Sequence, residues 1–335
     1  EWVSLKFFVT YLFIIFNIFF IRVYFLNKKI KINYSFVLRI YIVYFTIGFI
    51  QLFIPDFMSF FVSRSSDDIE LLIESGRGVR SLTPEPATLG KMYSFLGIFL
   101  VILMFYKGEV RQSVQLKALG LLFSILITSI LTSRSAYAIF ILLFIISVYL
   151  IIFYFKTAIV LIFCLVISVL GSYYFISEFA HIRMFYILNL LVNEPELLLQ
   201  QGAIRRVFNV SISLNNLSYF GFQGALGSPL AFDASINTFL GTIQYVAGNR
   251  NNGGFVQIIL QLGLFSIFIL FPYIKALYLI LSKHSDKRFP LDSLKIRLWA
   301  FISLILLTFQ DGAPTVVLSW FLVFYISELI NTKRL

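Results

Sequence analysis

The sequence predicts an all-α polytopic membrane protein, and three observations carry that prediction. Of 335 residues, 59% are hydrophobic and only 13% are charged, with a mean hydropathy of +0.91. A soluble domain is roughly 25% charged and 45–50% apolar, so too few polar groups are present to coat a water-facing surface. Apolar runs of about 20 residues, each able to cross a roughly 30 Å hydrocarbon core, recur along the chain. A secreted globular enzyme, a disordered segment and a nucleic-acid binder all fit this composition poorly, despite the net charge of +11. The lone Cys164 lies within a span, which leaves no disulfide framework and no cysteine metal site. No cleavable signal peptide is read at Glu1, where neither Met nor a basic segment precedes the first apolar run.

About nine transmembrane helices are expected, at 3–26, 34–54, 86–106, 114–132, 135–155, 157–177, 254–274, 296–310 and 315–331. Residues 1–335 then form one integral membrane domain with two long loops, 55–85 and 178–253, on one face. The opposite face carries Lys28, Lys29, Lys31, Lys107, Arg111, Lys117, Lys156, Lys283, Lys287, Arg288, Lys295, Arg297, Lys333 and Arg334. The positive-inside rule makes that face cytoplasmic. Arg22, Arg39 and Lys275 fall near the inner ends of their spans, from where long side chains snorkel to the headgroups. The last two spans are short, but Gln310-Asp311-Gly312-Ala313-Pro314 reads as a turn between them.

Most carboxylates lie on the outer face, and the cations of the outer loops and turn are all arginines: Arg64, Arg77, Arg80, Arg134, Arg183, Arg205, Arg206 and Arg250. Arginine's planar fork suits bidentate binding of phosphate or carboxylate and stays charged when partly desolvated. Pairing with nearby carboxylates is the plainer account for Arg64 and Arg183. It covers a set spread over four outer segments less well.

Gly76-Arg77-Gly78-Val79-Arg80-Ser81-Leu82-Thr83-Pro84-Glu85-Pro86 fixes an irregular loop that leads into the third span. Arg77 and Arg80 can bind an anion there. Glu85, at the lip of the bilayer, is a candidate proton acceptor, because a low dielectric favours its neutral form. The alternative is that Glu85 only caps the helix, where the dipole favours a negative charge. Thr132-Ser133-Arg134-Ser135 is a short polar turn whose single charge is either an anion ligand or an interfacial anchor.

Loop 178–253 is too long for a simple connector. Apolar residues at helical spacing over 195–217 predict an amphipathic helix along the interface, with Arg205 and Arg206 at its middle. The glycine-spaced turn Gly221 to Pro229 follows no strand and is not read as a nucleotide loop. Asn249-Arg250-Asn251-Asn252-Gly253-Gly254 opens the seventh span and suits an anion or hydroxyl ligand at a helix start.

In this order, the segments resemble the O-antigen polymerase/ligase superfamily of bacterial envelope glycosyltransferases. The resemblance covers roughly residues 75–275 and rests on Arg80…Glu85-Pro86, Ser133-Arg134-Ser135, Arg205/Arg206 with Gly221 to Ser228, and Asn251-Asn252 before Leu262-Gly263-Leu264. It implies a metal-independent enzyme without cofactors, working at the outer face of the bacterial cytoplasmic membrane on polyprenyl-pyrophosphate-linked oligosaccharides. A chain-length regulator and a flippase are its implied partners, besides membrane lipid. The ligase branch places a catalytic histidine where this chain has Asn251 or Asn252, which favours the polymerase branch and leaves the base unassigned.

The resulting expectation has Arg80, Arg134 and Arg205 or Arg206 holding the pyrophosphate, with Arg77 and Arg250 in reserve and Asn251 and Asn252 near the acceptor. Glu85 is the first candidate base, followed by His181, Glu178 and Asp311. His181 also fits a plain interfacial residue closing the sixth span. The rival readings are the ligase and a lipid-linked oligosaccharide flippase or transporter. Against the latter stand the absence of an internal repeat and of any mid-span carboxylate. A membrane protease or acyltransferase is disfavoured because neither histidine lies within a span.

Overall fold

The structure, a computed structural model, describes residues 32–54, 57, 78–83, 86–107, 112–156, 158–159, 234–238, 241–245, 263–281, 291–309 and 321–327, with single positions at 12, 15, 16, 19, 20, 23 and 193. Two compact units emerge. One comprises Ile32–Glu194 with Phe289–Ser303, and the other comprises Glu1–Lys31, Pro195–Arg288 and Leu304–Leu335.

In the first unit, α1 (Tyr34–Gln51), α2 (Pro86–Lys107), α3 (Gln112–Leu131) and α4 (Ala136–Phe153) follow one another. The first three are long and apolar enough to cross a membrane. Four of the expected spans thus coincide with helices to within a few residues. A bilayer leaves no other partner for backbone polar groups, so an uninterrupted apolar run must become helix. Proline at the first position of α2 sits where a helix needs no N–H donor. At the start of α4 the Ser135 hydroxyl accepts from the Ala138 N–H at 3.5 Å.

The middle of the bundle is α2, which touches α1, α3 and α4. Its sequence is apolar on every face apart from Lys91 near its start, as suits a centrally placed helix, and 78% of its span is buried against 22% for α1. Outward, α1 shows Phe36, Ile42 and Phe49, and α3 shows Leu116, Phe123, Ile127 and Ile130. Such a surface would aggregate in water and costs nothing against acyl chains. Small residues let the helices close up. A Cβ on Gly90 would strike the Ala138 methyl, and one on Gly97 would come within 3.0 Å of Ile125 Cδ1.

Polar links tie the helices together where apolar packing alone gives little specificity. The Thr128 hydroxyl on α3 donates to Ser124 O at 2.8 Å, so the Tyr41 hydroxyl on α1 is the donor in the 2.7 Å bond between them. Thr128→Val is expected to cost about 1 kcal/mol by leaving that phenol unsatisfied. Adding Tyr41→Phe should recover much of the loss, and thermal unfolding of the double-mutant cycle in nanodiscs tests the coupling.

The first unit also holds the beginning of α6 (Leu291–Phe309). Trp299 is fully buried there, donating its indole N–H to Ile145 O on α4 at 3.1 Å. This helix starts five residues before the expected span, directly after Pro290, with Leu291, Leu294 and Leu298 at helical spacing among the polar residues Asp292, Ser293, Lys295 and Arg297.

The other unit contains α5 (Ile267–Leu281), preceded by a 3₁₀ turn at Gly263–Ser266. The expected span ended at residue 274; the helix instead continues to Leu281, since Ala276 to Leu281 prolong the run and Lys275 is tolerated inside it. Within 178–253, read as a loop with an interfacial helix, β1 (Ala234–Thr238) and β2 (Gly241–Tyr245) form an antiparallel hairpin. Its register sets Ile236 opposite Ile243 and Ser235 opposite Gln244, with two residues between the strands. The β-branched Ile236, Thr238, Thr242 and Ile243 are the local strand signal here, in a stretch expected to be loop, while the interfacial helix expected over 195–217 lies outside the described residues.

Candidate functional site

At the end of the bundle where α1 and α3 finish and α2 and α4 begin, three segments converge. The first is 78–83, leading to α2; the second is the turn 132–135; the third is the last turn of α1. They are joined by backbone and side-chain hydrogen bonds. The Val79 N–H donates to Thr132 O at 2.8 Å, which ties loop 78–83 to the turn. On its other side the Ser81 N–H donates to Gln51 Oε1 at 2.7 Å and the Ser81 hydroxyl to Tyr44 O at 2.8 Å. The Gln51 amide in turn donates to Phe57 O at 2.8 Å and, more loosely, to Ser81 O at 3.3 Å.

Behind these links lies a small buried hydroxyl cluster. The Thr132 hydroxyl donates to Thr128 O at 2.7 Å and lies 3.3 Å from the Tyr93 oxygen, and Tyr93 reaches Tyr44 O at 3.4 Å. The Ser133 hydroxyl donates to Ser129 O at 2.9 Å and accepts from Ser129 Oγ at 3.0 Å. Gly48 of α1 closes the group, its Cβ position 3.5 Å from Ser81 Cβ and 3.6 Å from Thr132 Cβ. A polar network of this kind in an apolar bundle holds a unique geometry because breaking any member strands its partners.

Both non-glycine residues with positive φ among the described residues belong here: Ser81 at 52° and Arg134 at 46°. A residue with a Cβ adopts this left-handed conformation only when its surroundings over-determine it, and such outliers concentrate at working sites. For Arg134 the constraint is its own N–H, which donates to Ser129 O at 3.0 Å and so closes the C-terminus of α3.

The two described arginines of the expected set therefore sit on segments that touch. Arg80 is only 6% exposed, and its carbonyl accepts from the Thr83 N–H at 3.0 Å and the Thr83 hydroxyl at 2.6 Å. Arg134 is exposed. Burying a guanidinium costs several kcal/mol unless hydrogen bonds or a counter-charge compensate it. Arg77, Glu85, Glu178, His181, Arg205, Arg206, Arg250, Asn251, Asn252 and Asp311 lie outside the described residues. Among the described residues no three His, Cys, Asp or Glu side chains come together as a metal site would need.

Sequence reasoning overlooked Gln51, Ser81, Tyr44 and Tyr93. Gln51 was legible in part, as the only amide in a mainly apolar span. The tyrosines resembled any other interior aromatic, and only their contacts single them out. No protein-family model, no curated protein and no solved structure matches this chain.

Proposed function

We propose that this chain polymerises O-antigen or capsule repeat units. The growing glycan leaves polyprenyl pyrophosphate for a hydroxyl of an incoming lipid-linked repeat unit, at the outer face of the bacterial cytoplasmic membrane. The observation that supports this reading most is a buried arginine, Arg80, on a strained loop hydrogen-bonded to the turn that carries Arg134, at one end of an apolar bundle. Two cations on touching segments at one end of a membrane-suited bundle fit a substrate whose tail stays in lipid and whose pyrophosphate stands at the surface. The loops that hold them also follow the order of the polymerase/ligase motifs.

In the proposed step the acceptor oxygen attacks the anomeric carbon and a new glycosidic C–O bond forms. The C–O bond to pyrophosphate breaks, its electron pair leaves with the polyprenyl pyrophosphate, and the acceptor's proton passes to a base. Glu85 is the first candidate for that base. Arg80 and Arg134 bind the leaving group and stabilise the charge that develops on it, as preorganised cations do for oxyanions elsewhere. Arg77, Arg205, Arg206 and Arg250 complete the proposed cationic set, with Asn251 and Asn252 at the acceptor.

The test is complementation of a bacterial strain whose own polymerase is deleted. Arg80→Ala and Arg134→Ala are each expected to lower polymer yield on the order of a hundredfold, while single repeat units accumulate outside the membrane. Arg80→Lys should recover little, because an ammonium lacks the bidentate fork. Normal long-chain polysaccharide from both alanine variants removes the proposed site. Repeat units trapped inside the cell in a strain that lacks this protein itself would instead identify a flippase.

A further inference from the structure

We infer that Gln51 is the positioning residue of the Arg80 loop: its amide in the last turn of α1 stands in for a neighbouring strand and holds Ser81 in the conformation that sets Arg80. This inference deepens the proposed function and rests on it for the meaning of Arg80.

The geometry carries it. Gln51 is 5% exposed, at the end of a helix whose other residues are mainly apolar. Its Oε1 accepts the Ser81 N–H at 2.7 Å while its Nε2 faces Ser81 O at 3.3 Å, a pairing otherwise made by a β-ladder. The second amide hydrogen is held by Phe57 O at 2.8 Å, which fixes the plane of the amide. One side chain thereby links the chain after α1 to the loop before α2. Ser81 is also the residue at φ 52°, and it directly follows Arg80. A conformation that L-residues avoid persists only where neighbours enforce it, and here the enforcing groups are Gln51 and the Tyr44 carbonyl. On the far side the Val79 N–H is held by Thr132 O. Arg80 thus lies between two fixed backbone points.

Leucine is the informative replacement, since it fills much of the glutamine's volume without offering a hydrogen bond. Glutamate keeps the acceptor for the Ser81 N–H. A role confined to filling space would leave Gln51→Leu like wild type; a positioning role separates the two variants. Cys164 is the only cysteine, so a Cys164→Ser background allows one reporter thiol. Val79→Cys supplies it next to Arg80 without touching that side chain, at a position 5% exposed. The full-length protein in nanodiscs is labelled with a bulky maleimide, and size-exclusion profiles confirm that each variant is folded.

With Gln51 present, the reporter thiol should label slowly. Gln51→Leu should raise the labelling rate about tenfold as the loop opens, and Gln51→Glu should raise it much less. In proteoliposomes supplied with a lipid-linked repeat unit, Gln51→Leu with Val79 intact should lower turnover, with Gln51→Glu partly restoring it. Unchanged labelling in Gln51→Leu overturns the inference whatever the activity. Faster labelling with undiminished turnover, where Arg80→Ala abolishes polymer, overturns the positioning role. If Arg80→Ala itself leaves polymer intact, the glycosyl-transfer reading fails, and the labelling rates alone still decide whether Gln51 holds the loop.

Discussion

Gly78→Ala is expected to destabilise the protein by about 3 kcal/mol, at the upper end for a single added methyl group. A Cβ at Gly78 would land on the carbonyl oxygen of Thr132 and on the carbonyl group of Ser133. These are backbone atoms, not the tips of flexible side chains, and they cannot retreat cheaply. The Thr132 carbonyl is held by the Val79 N–H at 2.8 Å, and the turn beyond it by the Arg134 N–H on Ser129 O at 3.0 Å. To admit the methyl, loop 78–83 must lift from the turn, which breaks the link between the segments of Arg80 and Arg134. Gly120→Ala provides the contrast. It lies inside α3 with nothing within 4 Å of its Cβ position, so alanine there should stabilise the helix by roughly 0.5–1 kcal/mol. Thermal unfolding of both variants in nanodiscs checks the pair, and equal midpoints would contradict the packing described.

Trp299→Ala is the second large effect. The indole is among the largest fully buried side chains of the described residues, and its edge meets the Tyr149 ring at 5.6 Å and 87°. Tyr149 stacks on Phe153 at 4.5 Å, and Phe153 on Phe105 at 5.7 Å. This aromatic column runs from α6 through α4 to α2. In water such a truncation costs about 3–5 kcal/mol. In lipid the transfer contribution shrinks, because acyl chains are as apolar as the interior. What remains is lost packing and an empty cavity, so about 2–4 kcal/mol is expected. Trp299→Phe keeps an aromatic ring beside Tyr149 but loses the bond to Ile145 O and part of the indole volume, and should cost about 1–2 kcal/mol. A Trp299→Phe loss as large as that of Trp299→Ala would mean that the hydrogen bond, not the packing, holds α6 in place.

Much of the helical framework was legible beforehand, for reasons that can be named. Pro86, the apolar stretch to Lys107 and the polar residues 108–113 mark the bounds of α2 without reference to any neighbour. Ser135 likewise announces α4 as a cap. Boundaries failed where a charge interrupts an apolar run, at Lys275 in α5, because hydropathy treats lysine as an end whereas its long stem can follow the helix surface. The hairpin at 234–245 was missed since short alternating segments give a weak signal beside a helical background. Of the proposed site, Arg80 and Arg134 could be named by residue type. The structure shows that their segments are bonded to each other, Val79 to Thr132, which no local pattern in the sequence indicates.

Composition and order along the chain determined that the described residues are mostly apolar helices, because in hydrocarbon each segment must satisfy its own backbone. They also singled out the arginines, whose cost in such surroundings is evident from residue type alone. Only the tertiary structure decided which polar groups meet. Gln51 and Ser81 are 30 residues apart, Thr132 and Tyr93 are 39, and Tyr41 and Thr128 are 87. No helical or strand period relates such positions. Their pairing follows from which faces of α1, α2 and α3 the small residues allow to touch, and that is a property of packed surfaces, not of any one stretch of sequence.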